Sequence, residues 1–222
     1  MRKIEGAIFD LDGTLVDSMW LWNGCYERVL RTFFGVCRET MEPAMLEKMD
    51  TAPITIGIPM LCEYYQSKID PEEIFADLNR TFHQFYSNEV QLKEGVKELL
   101  EHLKGKGVRM CIASASAPEM VNAALRHCGI NHYFIKVLTC DDVGRSKEYP
   151  DVYEAALKLL GTSKESTWVF EDAIVAVRTS HAMGLHTVGI YDDGQKGQEE
   201  ICALSDIYLA QGESHQRLVS FF

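Results

Sequence analysis

The chain has 222 residues, 46% of them hydrophobic and 25% charged, and a formal net charge of −11. This suits a globular protein with one good-sized domain, or a core with a smaller insert. The acidic excess repels polyanions and argues against a general nucleic-acid binder, but leaves a small phosphorylated substrate open because lysines, backbone dipoles and a metal act locally. The seven cysteines are odd in number and form no C-x-x-C pair, and several sit in apolar runs such as Met110-Cys111-Ile112. They read as small core residues of a reducing compartment, not as a disulfide framework or zinc site. The charged start Met1-Arg2-Lys3-Ile4-Glu5 does not suit a signal peptide, and no apolar run approaches a membrane span. A cytoplasmic monomer with no membrane partner is expected.

Gly6 to Phe9 is a short apolar run leading into Asp10-Leu11-Asp12-Gly13-Thr14. It predicts a buried parallel strand that turns at Gly13. If the strand continues through them, Asp10 and Asp12 point the same way. Carboxylates so close repel unless a cation or proton neutralises one. Taken alone, the stretch also reads as solvated loop aspartates before a turn glycine.

After that strand the pattern becomes helical. Trp20, Leu21, Val29, Leu30, Phe33 and Phe34 fall at helix-compatible spacings, and Pro59 and Pro71 each sit where a helix can begin. Phe82, Phe85 and Tyr86 read as the core of a small helical domain, not as a cofactor box. The block interrupts an α/β pattern that later resumes. Residues 18–89 are therefore expected to be an inserted all-α cap, with residues 1–17 and 90–222 forming the core.

From Gly95 onward strands and helices alternate. A helix over 96–103 ends at Gly105 and Gly107, and a strand over 108–113 delivers Ser114-Ala115-Ser116. Ser116-Ala117-Pro118-Glu119 fits a capping box for a helix that runs to about Cys128. A third strand is expected over 134–139, then a helix opening at Pro150 and closing at Gly161. A fourth strand over 167–170 ends in Glu171-Asp172, a helix spans 173–183, and further strands span 186–190 and 206–209. This alternation predicts a Rossmann-like, doubly wound parallel sheet with helices on both faces.

In such a sheet the strand ends converge on one edge, where ligands bind. That edge would gather Asp10 and Asp12, Ser114 with the amides after it, Lys147, and Glu171 with Asp172. Carboxylates from two strands suit Mg²⁺, which takes one or two carboxylates together with substrate phosphate oxygens. Ser114 and a helix opening can hold an anion, and Lys147 adds a compact positive charge. Together they point to phosphoryl transfer.

In this order and at these structural positions, the four stretches resemble the motifs of the haloacid dehalogenase-like hydrolase superfamily. The likeness covers essentially the whole chain and is greatest to the branch containing β-phosphoglucomutase and small-molecule phosphatases, which carries an α-helical cap. The resemblance implies that Asp10 is the nucleophile of an aspartyl-phosphate and Asp12 the general acid/base. It also implies that Ser114, Ala115 and Lys147 hold the phosphoryl group. Mg²⁺ would be held by Asp10, the backbone carbonyl of Asp12, and Asp172, with Glu171 a ligand or its neighbour.

The chain departs from the pattern in places. Ala173 and Ala176 replace the usual serine and glycine after the fourth motif, and Ser146-Lys147-Glu148-Tyr149-Pro150 replaces a Gly-Lys-Pro opening. Trp22 stands where mutase-like chains carry a histidine, and no arginine clearly matches the mutase's grip on a second phosphate. The favoured expectation is a Mg²⁺-dependent phosphatase acting on a small phosphorylated metabolite, with a β-phosphoglucomutase-type mutase as the alternative. A silent binding protein on this scaffold would normally have lost Asp10, Asp12 or Lys147. A dehalogenase would not need both Asp12 and the metal carboxylates.

Overall fold

Six short strands, β1 (Gly6–Phe9), β2 (Arg109–Ser114), β3 (Val137–Thr139), β4 (Thr167–Glu171), β5 (His186–Ile190) and β6 (Ile207–Leu209), form one sheet. Its order is β3-β2-β1-β4-β5-β6, and every neighbouring pair is parallel. The computed structural model describes residues 3–222, with residues 50 and 51 described by backbone alone. Residues 1 and 2 of the expected core segment lie outside it. By internal packing the chain divides into two units, residues 1–19 with 85–222, and residues 20–84.

A parallel sheet is covered on both faces, so its strands are apolar throughout and not alternating. Every residue of β1 is buried. Ile8, Cys111, Ala113, Leu138 and Val169 pack with Val152, Tyr153, Ala156 and Leu160. Phe9 faces the other way and stacks on its register partner Phe170, ring centroids 4.2 Å apart. On that side Trp168 meets Phe222 edge-on, and its indole N–H donates to the Lys3 carbonyl at 3.1 Å. Phe9 is in register with both Ile112 and Phe170, so Asp10 emerges level with Ala113 and Glu171.

All regular elements described in residues 20–84 are helical. Short α1 (Met19–Asn23) and α2 (Cys25–Val29) run into a wider turn, Leu30–Phe34, that ends at Gly35. They are followed by α3 (Pro43–Thr51), α4 (Ile54–Tyr64) and α5 (Pro71–Asn88), the last running on into the sheet-containing unit. Pro59 lies inside α4 and does not open it. Pro53 precedes the first turn, and burial of Gly57, Ile58, Leu61 and Cys62 along one helix carries it through the missing N–H of Pro59. Trp22 stacks on Phe82 with centroids 4.3 Å apart, while Trp20 is exposed.

The sheet is flanked by α6 (Val96–Gly105), α7 (Pro118–His127), α8 (Cys140–Val143), α9 (Asp151–Leu160), α10 (Ile174–Ala182) and α11 (Gln198–Leu204). The third strand is shorter than its apolar run suggests. Asn131–Tyr133 forms a tight 3₁₀ turn, and Ile135 and Lys136 only lead into β3 through single ladder bonds to β2. The expected capping box at Ser116–Glu119 does not form. Ala117 is the cap residue of α7, and the Ser116 hydroxyl serves another acceptor. A capping box forms instead at Thr139 and Asp142, opening α8. All seven cysteines are free. Cys25, Cys62 and Cys111 are buried as expected, but Cys37, Cys128 and Cys140 are half-buried and Cys202 is exposed.

Two glycines of α6 offer a test of this architecture. Gly95 enters the helix at φ +78°, and a Cβ there would lie 2.3 Å from both the Gln216 backbone nitrogen and Ser214 Oγ. Gly105 closes the helix in open space. Gly95→Ala should destabilise by more than about 1 kcal/mol in urea denaturation, whereas Gly105→Ala should be neutral or stabilise by about 0.4–1 kcal/mol. Equal effects at the two positions would contradict the described entry into α6.

Candidate active site

Asp10 follows β1 directly, and its amide donates to the Phe170 carbonyl at 3.0 Å, tying the end of β1 to β4. Its carboxylate is buried and accepts from Lys147 Nζ at 2.5 Å. Lys147 sits in the loop between α8 and α9 and donates also to Glu171 Oε2 at 2.7 Å. Glu171 ends β4, and its other oxygen accepts from the Ala173 amide at 3.2 Å. Asp172 is wholly buried. Thr14 Oγ1 donates to its Oδ1 at 2.8 Å, and Gln195 Nε2 to its Oδ2 at 2.9 Å.

Ligand oxygens of Asp10, Glu171 and Asp172 all lie within 4.8 Å of one another. Like charges at that spacing repel by on the order of 3–4 kcal/mol per pair at an effective dielectric near 20. Burial raises Asp10 well above the usual carboxylate range. Lys147 opposes that rise, and Glu171, Asp172 and Asp12 add to it. Burial and then Glu171 push Asp172 up to about 7, with Thr14, Lys93 and Gln195 pulling the other way. Burial alone would lower Lys147, but Asp10 and Glu171 outweigh it and hold the ammonium well above its ordinary value. The Tyr153 hydroxyl, raised by burial and then by Glu171, is buried here with no partner among the described residues.

The Asp12 side chain stands outside this carboxylate group and takes three hydroxyl donors. Ser18 Oγ and the Tyr86 phenol donate to Oδ1, the former at 2.6 Å, and Ser116 Oγ donates to Oδ2 at 2.6 Å. Directly after the two aspartates the chain turns at Gly13, φ +76°, where a Cβ would lie 2.1 Å from Asp172 Oδ2. Only glycine fits both the backbone angle and the approach of that carboxylate. Ser114 ends β2, and its Oγ accepts from the Ser116 amide at 3.0 Å, while Ala115 between them is exposed.

The structure thus gathers Asp10, Lys147, Glu171 and Asp172 in one buried group and holds Asp12 on separate donors. The sequence alone does not point to Ser18, Tyr86 or Gln195 as partners of these carboxylates, and in it Ser116 reads only as a cap. Tyr86 looked like one more core aromatic, and Gln195 lies in a polar turn with no periodic signal. Thr14 follows the aspartate pair directly and could have been found there.

Residues 7–190 match the family described as haloacid dehalogenase-like hydrolases. A phosphorylated carbohydrates phosphatase from Thermotoga maritima is 25% identical over 185 residues, 83% of this chain and 84% of that protein. The pyrophosphatase PpaX of Bacillus cereus is 30% identical over 173 residues, 77% of this chain and 75% of its own. Among solved structures, one from Thermotoga maritima provisionally assigned as a β-phosphoglucomutase superposes with a TM-score of 0.79 at 23% identity, covering 98% of each chain. The chain belongs to the haloacid dehalogenase-like hydrolase family.

Proposed function

We propose that this protein is a Mg²⁺-dependent phosphatase that hydrolyses a small phosphorylated metabolite through an aspartyl-phosphate on Asp10. The observation that carries this reading is the charge imbalance of the buried site. Asp10, Glu171 and Asp172 crowd into one small volume, where the Lys147 ammonium pairs with Asp10 and Glu171. A divalent cation balances that set, and hard oxygen ligands suit Mg²⁺. Asp172 takes its hydrogen bonds from the neutral donors Thr14 and Gln195, which leave its charge for a cation, and Asp10 lies beside it. When bound, the cation would neutralise phosphate charge and keep Asp10 ionised.

In this mechanism an Asp10 oxygen attacks phosphorus while the bond to the leaving oxygen breaks, and Asp12 supplies that oxygen with a proton. Water then attacks the phosphorus of the acyl phosphate, giving its proton to Asp12. Inorganic phosphate departs and Asp10 is restored. Lys147, and Ser114 with the Ala115 amide, would hold the non-bridging oxygens. The hydroxyls of Ser18, Tyr86 and Ser116 fix the Asp12 carboxylate between turnovers. Residues 20–84 would act as the cap that selects the substrate and excludes water.

Release to water is favoured over transfer to a sugar by Trp22, whose ring is packed on Phe82. Where a mutase-like chain would present a polar group to an acceptor, this chain has an indole with one donor and no acceptor. The relatives named as phosphatases point the same way.

Asp10→Asn should abolish phosphate release with the fold retained, because an amide is no nucleophile. Full turnover by folded Asp10→Asn protein would end the reading. With β-glucose 1-phosphate and the bisphosphate supplied, phosphorus NMR should show inorganic phosphate and no glucose 6-phosphate. Faster isomerisation than release would select the mutase.

Tyr86→Phe removes one hydrogen bond to Asp12 and keeps the ring. Bonds to charged groups are worth about 1.5–3 kcal/mol, so alkyl phosphate turnover should fall about tenfold or more. Aryl phosphates, whose leaving oxygen needs little proton assistance, should lose far less. An equal loss on both would remove Tyr86 from the positioning of Asp12.

The carboxylate shifts also set a pH dependence for the metal-free fold. Asp172, raised from 3.8 to about 7, and Asp10, raised in the same direction, contribute stability at low pH that is lost as pH rises through their folded values. His215, lowered from 6.5 to about 4 by burial and then by Lys93, acts oppositely below its ordinary value. In EDTA the melting temperature should therefore fall between pH 6.5 and about 8, and Mg²⁺ should restore more of it at the higher pH. Asp172→Asn should flatten the fall. A melting temperature that rises over this interval in EDTA would contradict the carboxylate cluster as described.

A further inference from the structure

Beyond β5 the chain makes a tight turn, residues 191–197, that belongs to none of the four motifs, yet one of its side chains reaches the buried site. Gln195 Nε2 donates to Asp172 Oδ2 at 2.9 Å and also lies 3.9 Å from Met19 Sδ. The turn beneath it is locked by Asp192, which is buried. The Asp192 carboxylate accepts from Lys93 Nζ at 2.7 Å and from the Gly194 amide at 2.8 Å. Its carbonyl accepts from the Gln195 amide at 3.1 Å and from Gln198 Nε2 at 3.0 Å. Lys93 Nζ donates in addition to the Tyr191 carbonyl at 3.1 Å. A glutamine merely resting on a solvated turn would not need such a mount.

We infer that Gln195 is a positioning residue for the metal-binding carboxylate of Asp172, held in place by the Lys93–Asp192 pair. This rests on reading Asp172 as a magnesium ligand. Thr14 donates to one Asp172 oxygen and Gln195 to the other, so the two donors fix the plane of the carboxylate. Each oxygen still keeps a lone pair for a cation. An amide suits the task because it donates without adding charge. A lysine at 195 would compete with the cation, and an aliphatic residue would leave Oδ2 without its donor.

Loss of such an outer partner typically weakens metal binding by about 10–100-fold. The test is Mn²⁺ binding to the whole protein, followed by the EPR signal of the free aqueous ion with Mg²⁺ as competitor. Wild type should bind Mn²⁺ that Mg²⁺ displaces, and Gln195→Leu should bind it about tenfold more weakly or worse. Higher Mg²⁺ should then recover the phosphatase activity of Gln195→Leu. Asp192→Ala should show a similar loss, and the double variant little more, because both act through one contact. Gln195→Asn, which keeps the amide but shortens its reach, should also bind more weakly and serves if the leucine variant melts early. A folded Gln195→Leu protein with wild-type Mn²⁺ affinity would overturn the inference and leave the metal site standing. Undiminished binding by Asp172→Asn would overturn the metal reading itself.

Discussion

The structure turns on one buried ammonium. Lys147 Nζ lies between Asp10 and Glu171, with all three side chains removed from solvent. Such an arrangement is poor evidence for stability, since desolvating the charges can cost as much as their attraction returns. Removing one partner is another matter, typically costing about 3–5 kcal/mol because an uncompensated charge stays behind. A chain that accepts this liability at the end of its central strands, with Asp172 left over in the same volume, is organised for charge chemistry more than for packing.

The sheet makes that concentration possible. β1 runs between β2 and β4, and the shared register brings the ends of all three strands to one edge. The stacked pair Phe9 and Phe170 sits immediately behind Asp10 and Glu171, and the Asp10 amide is bonded to the Phe170 carbonyl. The apolar layer is therefore continuous with the polar one, and movement of the carboxylates relative to each other would break a ladder bond or an aromatic contact. Side chains anchored at strand ends are held more exactly than side chains on free loops.

The surrounding polar groups come from distant parts of the chain. Asp12 collects hydroxyls from Ser18, Tyr86 and Ser116, separated from it by 6, 74 and 104 residues. Asp172 collects donors from Thr14 and Gln195, 158 and 23 residues away. The two central aspartates of the first motif are thus treated differently. Asp10 is paired with an ammonium among other carboxylates, and Asp12 is surrounded by neutral donors. Such separation of environments divides roles between like residues.

The sequence by itself determined the parallel α/β sheet, because a strand buried on both faces must be an unbroken apolar run and the helices between such runs show their own period. The glycine after the acidic pair and the order of the polar strand ends were legible for the same local reasons. What only the tertiary structure decided is who meets whom. Ser116 looks like a helix cap because capping is a local signal, yet an acidic acceptor from the segment after β1 claims its hydroxyl. Pro59 looks like a helix start because proline suits a first turn, yet the burial of neighbouring apolar residues carries α4 through it. Tyr86 and Gln195 show no signal at all, since a hydrogen bond across a fold leaves no period in the chain. Periodicity records the face a residue turns to the core, whereas the donor that reaches a given carboxylate is set by register and loop closure, which exist only once the chain has folded.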